Sequence, residues 1–292
     1  MEKVYIIDIG TNSTRLMLAE RNGRNPRRIY KTLRTVRTGE NVNNTGRLAE
    51  AAMVRTIGAI REYTEIMRSE NPDAPVYCFA TSAVRDSENK YDFVNRVKEE
   101  TGISVRILSG EEEADIGFMG AVSGGTGGII DIGGGSTEVI FGHNGKIEFS
   151  YSFQLGCVRS LDMFKNEEEA RIYSKKLFDG IDKTTAKGLD FYGIGGTATS
   201  IAAIALALPR YDSEKVQNFR ITRSEMEALY HKLLSMTAEE RLSLPGLDRR
   251  RADIIGFGAA ILLSFMESFD LAEVIASESD GMEGAIAAGY AE

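Results

Sequence analysis

Asp8-Ile-Gly-Thr-Asn-Ser-Thr14 and Asp131-Ile-Gly-Gly-Gly-Ser-Thr137 place one pattern, Asp-Ile-Gly-x-x-Ser-Thr, twice in a chain of 292 residues. Each copy follows an apolar run, Val4-Tyr-Ile-Ile7 or Gly128-Ile-Ile130, and leads into another, Leu16-Met-Leu-Ala19 or Val139-Ile-Phe141. An Asn-Gly pair comes next, Asn22-Gly23 or Asn144-Gly145. Both residue types tolerate positive φ, so Asn-Gly between apolar runs predicts a tight hairpin. The repeated unit is strand, glycine loop, strand, turn, and its recurrence predicts two related α/β domains.

Working outward, a third strand is expected near 28–36, then a long helix through Ile57, Ile60 and Met67, and a strand over 76–80. A helix over 91–100 buries Phe93, Val94 and Val97, and a strand follows over 103–108. After the second copy, strands are expected over 139–141 and 147–153, then a helical stretch. A third glycine loop, Gly193-Ile-Gly-Gly-Thr-Ala-Thr199, lies between the short strand Phe191-Tyr192 and an apolar helix over about 200–208. Thr222 with Glu225 and Thr237 with Glu240 have capping-box spacing, which starts two more helices. A helix over 252–265, a strand over 273–277 and a terminal helix complete the reading. The expected domains are 1–118 and 119–280, with the terminal segment 281–292 packing on the first. No linker separates the two halves, which predicts that they face each other across a cleft.

A glycine-rich turn between strands exposes backbone N–H groups on one side and lets a phosphate oxygen approach closely. Gly10, Asn12 and Ser13 supply such donors in the first loop, and Gly133, Gly134, Gly135, Ser136 and Thr137 in the second. Gly195, Gly196 and Thr197 add a further contact to ligand phosphate or ribose. Asp8 and Asp131 end their strands beside these loops, where a carboxylate repels phosphate unless a cation intervenes. Mg²⁺ is the natural intermediary, because it takes oxygen ligands and commonly joins a carboxylate to substrate phosphate. For a single loop, a plain hairpin turn is an equally good reading; three loops in one chain weigh against it.

The 35 basic and 43 acidic residues give a formal charge of −8, which argues against broad adhesion to nucleic acid or anionic membrane. Any polyanion must be held locally. Two basic clusters are visible, Arg24 to Arg37 and Arg249-Arg250-Arg251, and a solvated face is the better reading of the first. Cys78 and Cys157 have no metal-site or disulfide spacing, and no apolar run reaches membrane-spanning length. The chain enters a strand at once from Met1, so a cytoplasmic protein without a leader is expected.

The combined motifs resemble the exopolyphosphatase and guanosine pentaphosphatase family, a branch of the superfamily of actin, the heat-shock ATPases and sugar kinases. The resemblance rests on 8–13, Ala80-Thr-Ser-Ala-Val-Arg85, Leu108-Ser-Gly-Glu-Glu-Glu-Ala114, 131–138, 193–197 and Arg251-Ala-Asp-Ile-Ile255, and spans nearly the whole chain. It implies two actin-like (ribonuclease H-like) α/β domains with an interdomain cleft. It assigns the catalytic glutamate to Glu113 and a second active-site carboxylate to Glu138. Phosphate-binding and metal-linked positions fall on Asp8, Asn12, Ser13, Arg85, Asp131, Gly133, Gly134 and Ser136. Arg15 matches an arginine associated with ligand phosphate, and Arg251 is its candidate counterpart from the other domain. Longer members add C-terminal parts; this chain resembles the short two-domain form. A homodimer is implied only by relatives.

The implied reaction is Mg²⁺-dependent removal of terminal phosphate from inorganic polyphosphate, with Glu113 as base and Asp8, Asp131 and Glu138 as metal-linked carboxylates. Guanosine pentaphosphate is the alternative substrate on the same motifs. A superfamily kinase or ATPase, or a non-catalytic sensor of polyphosphate or nucleotide, ranks below both. Without the resemblance, Glu111-Glu112-Glu113 reads as an acidic helix N-terminus favoured by the helix dipole; Glu111 and Glu112 keep that reading.

Overall fold

A computed structural model describes residues 1–122 and 125–290, so Ala291 and Glu292 of the expected terminal segment lie outside the described residues. The chain forms two compact units, Met1–Gly120 joined by the segment from Gly281, and Ala121–Asp280.

In the first unit, β1 (Glu2–Ile9), β2 (Ser13–Asn22), β3 (Asn25–Thr35), β4 (Val76–Ala80) and β5 (Val105–Ile107) form a sheet in the order β3-β2-β1-β4-β5. β2 runs antiparallel to β1, while β4 and β5 continue parallel to it. β1 is central and covered on both faces, which is why its sequence is almost continuously apolar. The period of two divides it. Tyr5, Ile7 and Ile9 pack with Ile57, Ile60, Tyr63 and Met67 of the helix Glu50–Glu70. Val4 and Ile6 pack with Ile116 of the helix Gly110–Val122 and with Met282, Ala285 and Ile286 of the helix Gly281–Ala287. Asp8 shares the parity of Val4 and Ile6. That returning helix is anchored by its buried Glu283, whose carboxylate lies 2.7 Å from Lys31 Nζ and 3.5 Å from Arg28 Nη1. Its Gly284 sits so close to Ile116 that a Cβ would fall 1.6 Å from the Ile116 carbonyl oxygen.

In the second unit, β6 (Gly127–Ile132), β7 (Thr137–His143), β8 (Lys146–Phe153), β9 (Phe191–Ile194), β10 (Arg220–Thr222) and β11 (Glu273–Ala276) take the order β10-β11-β9-β6-β7-β8. Taken from β8, this repeats the first sheet, with β10 added at the edge antiparallel to β11. Both units are therefore α/β domains of one plan, the actin-like class implied by the resemblance. The helix Ile255–Ser268 is buried on all sides from Ile255 to Met266, and its Phe265 meets Phe178 and Phe191 edge-on.

Local sequence signals are met with informative exceptions. Asn144 and Gly145 both take positive φ and form the two-residue turn between β7 and β8. In the first unit, by contrast, Asn22 pairs with Asn25, so the turn is Gly23-Arg24 and only Gly23 has positive φ. The third glycine loop is shorter than its sequence implies, because the helix Gly195–Ala205 begins within it. β10 was not anticipated; three residues on an edge carry little periodicity. Both capping boxes form, Thr222 with Glu225 and Thr237 with Glu240. Thr222→Ala removes a cap from a helix that packs into the core, and is expected to cost about 1 kcal/mol, read as a lower urea midpoint. Among the described residues no helix is long and apolar enough to cross a membrane.

Candidate active site

In an α/β sheet the loops after the carboxyl ends of parallel strands share one edge, and ligands bind there. In the first unit that edge collects Asp8 from β1, Arg85 from the short helix Ser82–Arg85 after β4, and Glu113 from the helix after β5. Arg85 Nη1 donates to Glu113 Oε2 at 2.7 Å and to the Leu108 carbonyl at 3.3 Å. Glu112 is spent differently: its carboxylate accepts from Ser109 N–H while its own N–H donates to Ser109 Oγ, a capping arrangement. The backbone N–H of Ser109 is the main reason its carboxyl lies below the usual range. For Glu113 the balance is opposite. Burial raises its carboxyl above the ordinary value, Arg85 opposes the shift, and the charge of Asp8 adds to it. One acid in this run is thus structural and its neighbour has the perturbed proton affinity of a functional group.

Across the β1–β2 ladder Asp8 faces Arg15, and opposed residues point to one side of the sheet. Arg15 Nε donates to Asp8 Oδ2 at 2.9 Å. The same ladder position in the second unit joins Asp131 of β6 to Glu138 of β7. The duplicated frame therefore carries an acid–guanidinium pair in one half and two acids in the other.

The two glycine loops are also built alike. Gly10 N donates to Ser13 O at 3.1 Å, and Gly133 N to Ser136 O at 3.0 Å. Carbonyls are then taken by backbone from a following segment. Val36 and Arg37 donate to Asn12 O and Gly39 to Thr11 O in the first unit. In the second, Cys157 donates to Gly133 O, and Val158 and Arg159 to Gly134 O. Arg159 Nε adds a bond to Gly135 O. Gly156, leading into the helix Cys157–Met163, lies so near that a Cβ would fall 2.5 Å from the Gly134 carbonyl.

Other predicted residues have distinct surroundings. Ser136 is buried, Asn12 Nδ2 lies 3.2 Å from Ser13 Oγ, and Asn12 Oδ1 is buried without a hydrogen-bond partner. Thr137 and Thr197 are buried with hydroxyls donating to Leu155 O at 2.5 Å and Ile132 O at 2.8 Å, so both tie loops together. Gly195 lies against the Asp131 carboxylate and Gly196 against the Arg251 guanidinium; a Cβ on either would overlap that side chain. The triple arginine is divided, with Arg250 paired to Asp248 at 2.8 Å and Arg251 against the helix start. The first basic cluster is partly neutralised, Arg27 by Glu20 and Arg34 by Glu62. Gly156, Arg159 and Ser152 were not anticipated from sequence. Ser152 Oγ donates to Glu138 Oε1 at 2.6 Å.

Mg²⁺ can be tested against these donors. In the second unit Asp131 and the buried Glu138 are opposed oxygen donors of a type that suits Mg²⁺. In the first unit, taken by itself, Asn12 Oδ1 is an orphaned oxygen of the same type. Asp8 suits it less, because a cation there competes with Arg15. Among the described residues no cluster of three or more His, Cys, Asp or Glu is poised for a metal, so one or two carboxylates would need substrate phosphate to complete the shell.

A family model described as the Ppx/GppA phosphatase family matches residues 16–288. The chain is 33% identical to a bifunctional 3-dehydroquinate synthase/phosphatase of Fusobacterium nucleatum, covering 97% of this chain but only 46% of that longer protein. It is 29% identical to exopolyphosphatase 2 of Mycobacterium tuberculosis, covering 97% of both chains. The crystal structure of the Aquifex aeolicus Ppx/GppA family member aligns with a TM-score of 0.80 and 27% identity over 99% of this chain and 97% of that one. Fold, paired loops and comparisons together make this chain a member of the Ppx/GppA phosphatase family, a family of hydrolases.

Proposed function

We propose that this protein hydrolyses the terminal phosphoanhydride bond of inorganic polyphosphate with Mg²⁺, releasing orthophosphate. The observation that carries the reading is the partly buried Glu113 held by Arg85, with the Asp8 charge acting on it, a carboxylate with the raised proton affinity that suits a general base. Likeness to exopolyphosphatase 2 over 97% of both chains supports the substrate class. Guanosine pentaphosphate is the competing substrate, because the same loops would hold its phosphates.

The residues divide the work as follows. Glu113 accepts a proton from the attacking water, and Arg85 fixes its carboxylate and offsets charge. The carbonyls of 133–135 are occupied by backbone and Arg159, which leaves the amide side of that loop to face phosphate oxygens. Asp131 and Glu138 would hold Mg²⁺, which when bound neutralises charge on the phosphate chain. Arg251, placed against Gly196, adds a cation for a more distant phosphate.

Phosphate release from short polyphosphate, long polyphosphate and guanosine pentaphosphate, measured side by side with and without Mg²⁺, tests the reading. It stands if polyphosphate gives the highest kcat/KM in Mg²⁺. A higher value for guanosine pentaphosphate replaces it. A second check is pH. With Glu113 as base, the acid limb of kcat/KM is expected above the ordinary carboxylate value of about 4.3. A limb at or below that value removes Glu113 from the role.

A further inference from the structure

Glu138 is gripped from the side away from Asp131. β8 pairs with β7 so that Ser152 lies opposite Glu138, and its hydroxyl donates to Oε1 at 2.6 Å. The hairpin turn alone does not set this register. At the turn His143 faces Lys146 and Gly142 faces Ile147, a register that extrapolates to Tyr151 opposite Glu138. A shift between Phe141 and Gly142 adds one residue to β8 and brings Ser152 there instead. A one-residue slip turns every later side chain to the other face, so the bulge chooses hydroxyl over phenol. Gly142 permits it, since a Cβ there would fall 2.1 Å from the Lys146 carbonyl oxygen. In the first unit the corresponding row is Asp8, Arg15, Leu33, without a hydroxyl. The serine accompanies the carboxylate that stands where the other half has arginine.

We infer that Ser152 is a positioning residue for Glu138: its hydroxyl commits Oε1 and fixes how the carboxylate is turned beside Asp131. The inference rests on the proposed phosphohydrolase reading, in which Glu138 helps to hold the Mg²⁺-bound phosphate chain. Partners one step behind a metal-linked carboxylate typically contribute about 10–100-fold in metal affinity or activity. Ser152→Ala is therefore expected to lower kcat on short polyphosphate about 10-fold or more, with KM little changed. Ser152→Thr keeps the hydroxyl on a residue suited to strands and should recover most of the loss.

The decisive experiment is a double-mutant cycle of Ser152→Ala and Glu138→Gln, read in kcat and, without metal, in urea unfolding. Coupling in both supports the inference: once Glu138 is changed, removing the hydroxyl should have little further effect on turnover. Additive effects on kcat overturn it, as does a Ser152→Ala enzyme with wild-type kcat. Coupling in urea unfolding but not in kcat also overturns it, because the bond would then serve the fold alone. If the wild type releases no phosphate from polyphosphate while the urea cycle still couples, the substrate reading has failed and the contact itself has not.

Discussion

Glu113→Gln is expected to lower kcat about 10²–10⁴-fold, the range over which a positioned base contributes. Glutamine is nearly isosteric and keeps an oxygen for Arg85, so the geometry should survive while the proton acceptor is lost. Stability should respond in the other direction. Because the folded-state carboxyl of Glu113 is raised, its contribution to stability is present at low pH and lost as pH rises through that value. At neutral pH the ionised group is a burden on the fold, despite Arg85. The variant should therefore melt at the wild-type temperature or slightly above it. Near-normal turnover in a folded variant would sink the assignment, and a large drop in melting temperature would show that the ion pair outweighs burial.

Gly156→Ala is expected to lower kcat/KM about 100-fold, since displacing a binding element by about 1 Å can have an effect of that size. The residue has extended backbone, φ −149° and ψ 167°, which alanine adopts freely. The obstacle is position: the new Cβ would sit 2.5 Å from the carbonyl of Gly134 and 2.6 Å from the nitrogen of Gly135. Both are backbone atoms of the glycine loop and cannot swing away like a side chain. The loop must shift, carrying the amides that are proposed to face phosphate. Gly58→Ala is the control, because it lies in the helix Glu50–Glu70 with open space at its Cβ and should leave activity unchanged. Wild-type kinetics in Gly156→Ala would mean that the loop does not hold the ligand.

The fold was legible where burial imposes a period. Val4 to Ile7 and Gly128 to Ile130 read as strands from their apolar runs, a pattern that cover on both faces of the central strands produces, and the repeated motif placed equivalent strands in both units. The edge strand β10 was hidden by its length, and the bulge at Gly142 because it lies in hydrogen bonding rather than in side-chain pattern. The division of Glu112 from Glu113 followed from the resemblance alone, the capping contact of Glu112 with Ser109 being visible only in the structure, and Arg85 as the partner of Glu113 is a contact between residues 28 apart in sequence. Thr137 and Thr197 looked like ligand donors by composition, whereas each bonds a carbonyl within its own unit. A hydroxyl in a glycine loop does not reveal by itself which way it turns.

The helix Gly281–Ala287 gives the chain an unusual order of assembly. Met282, Ala285 and Ile286 complete the hydrophobic layer over Val4 and Ile6, yet all of residues 121–280 are synthesised between them. On the ribosome the second unit can bury its core while the first still exposes one face of its central strand. The segment around Glu283 thus acts as a clasp, and the first unit becomes fully protected from aggregation and proteolysis only when that clasp closes.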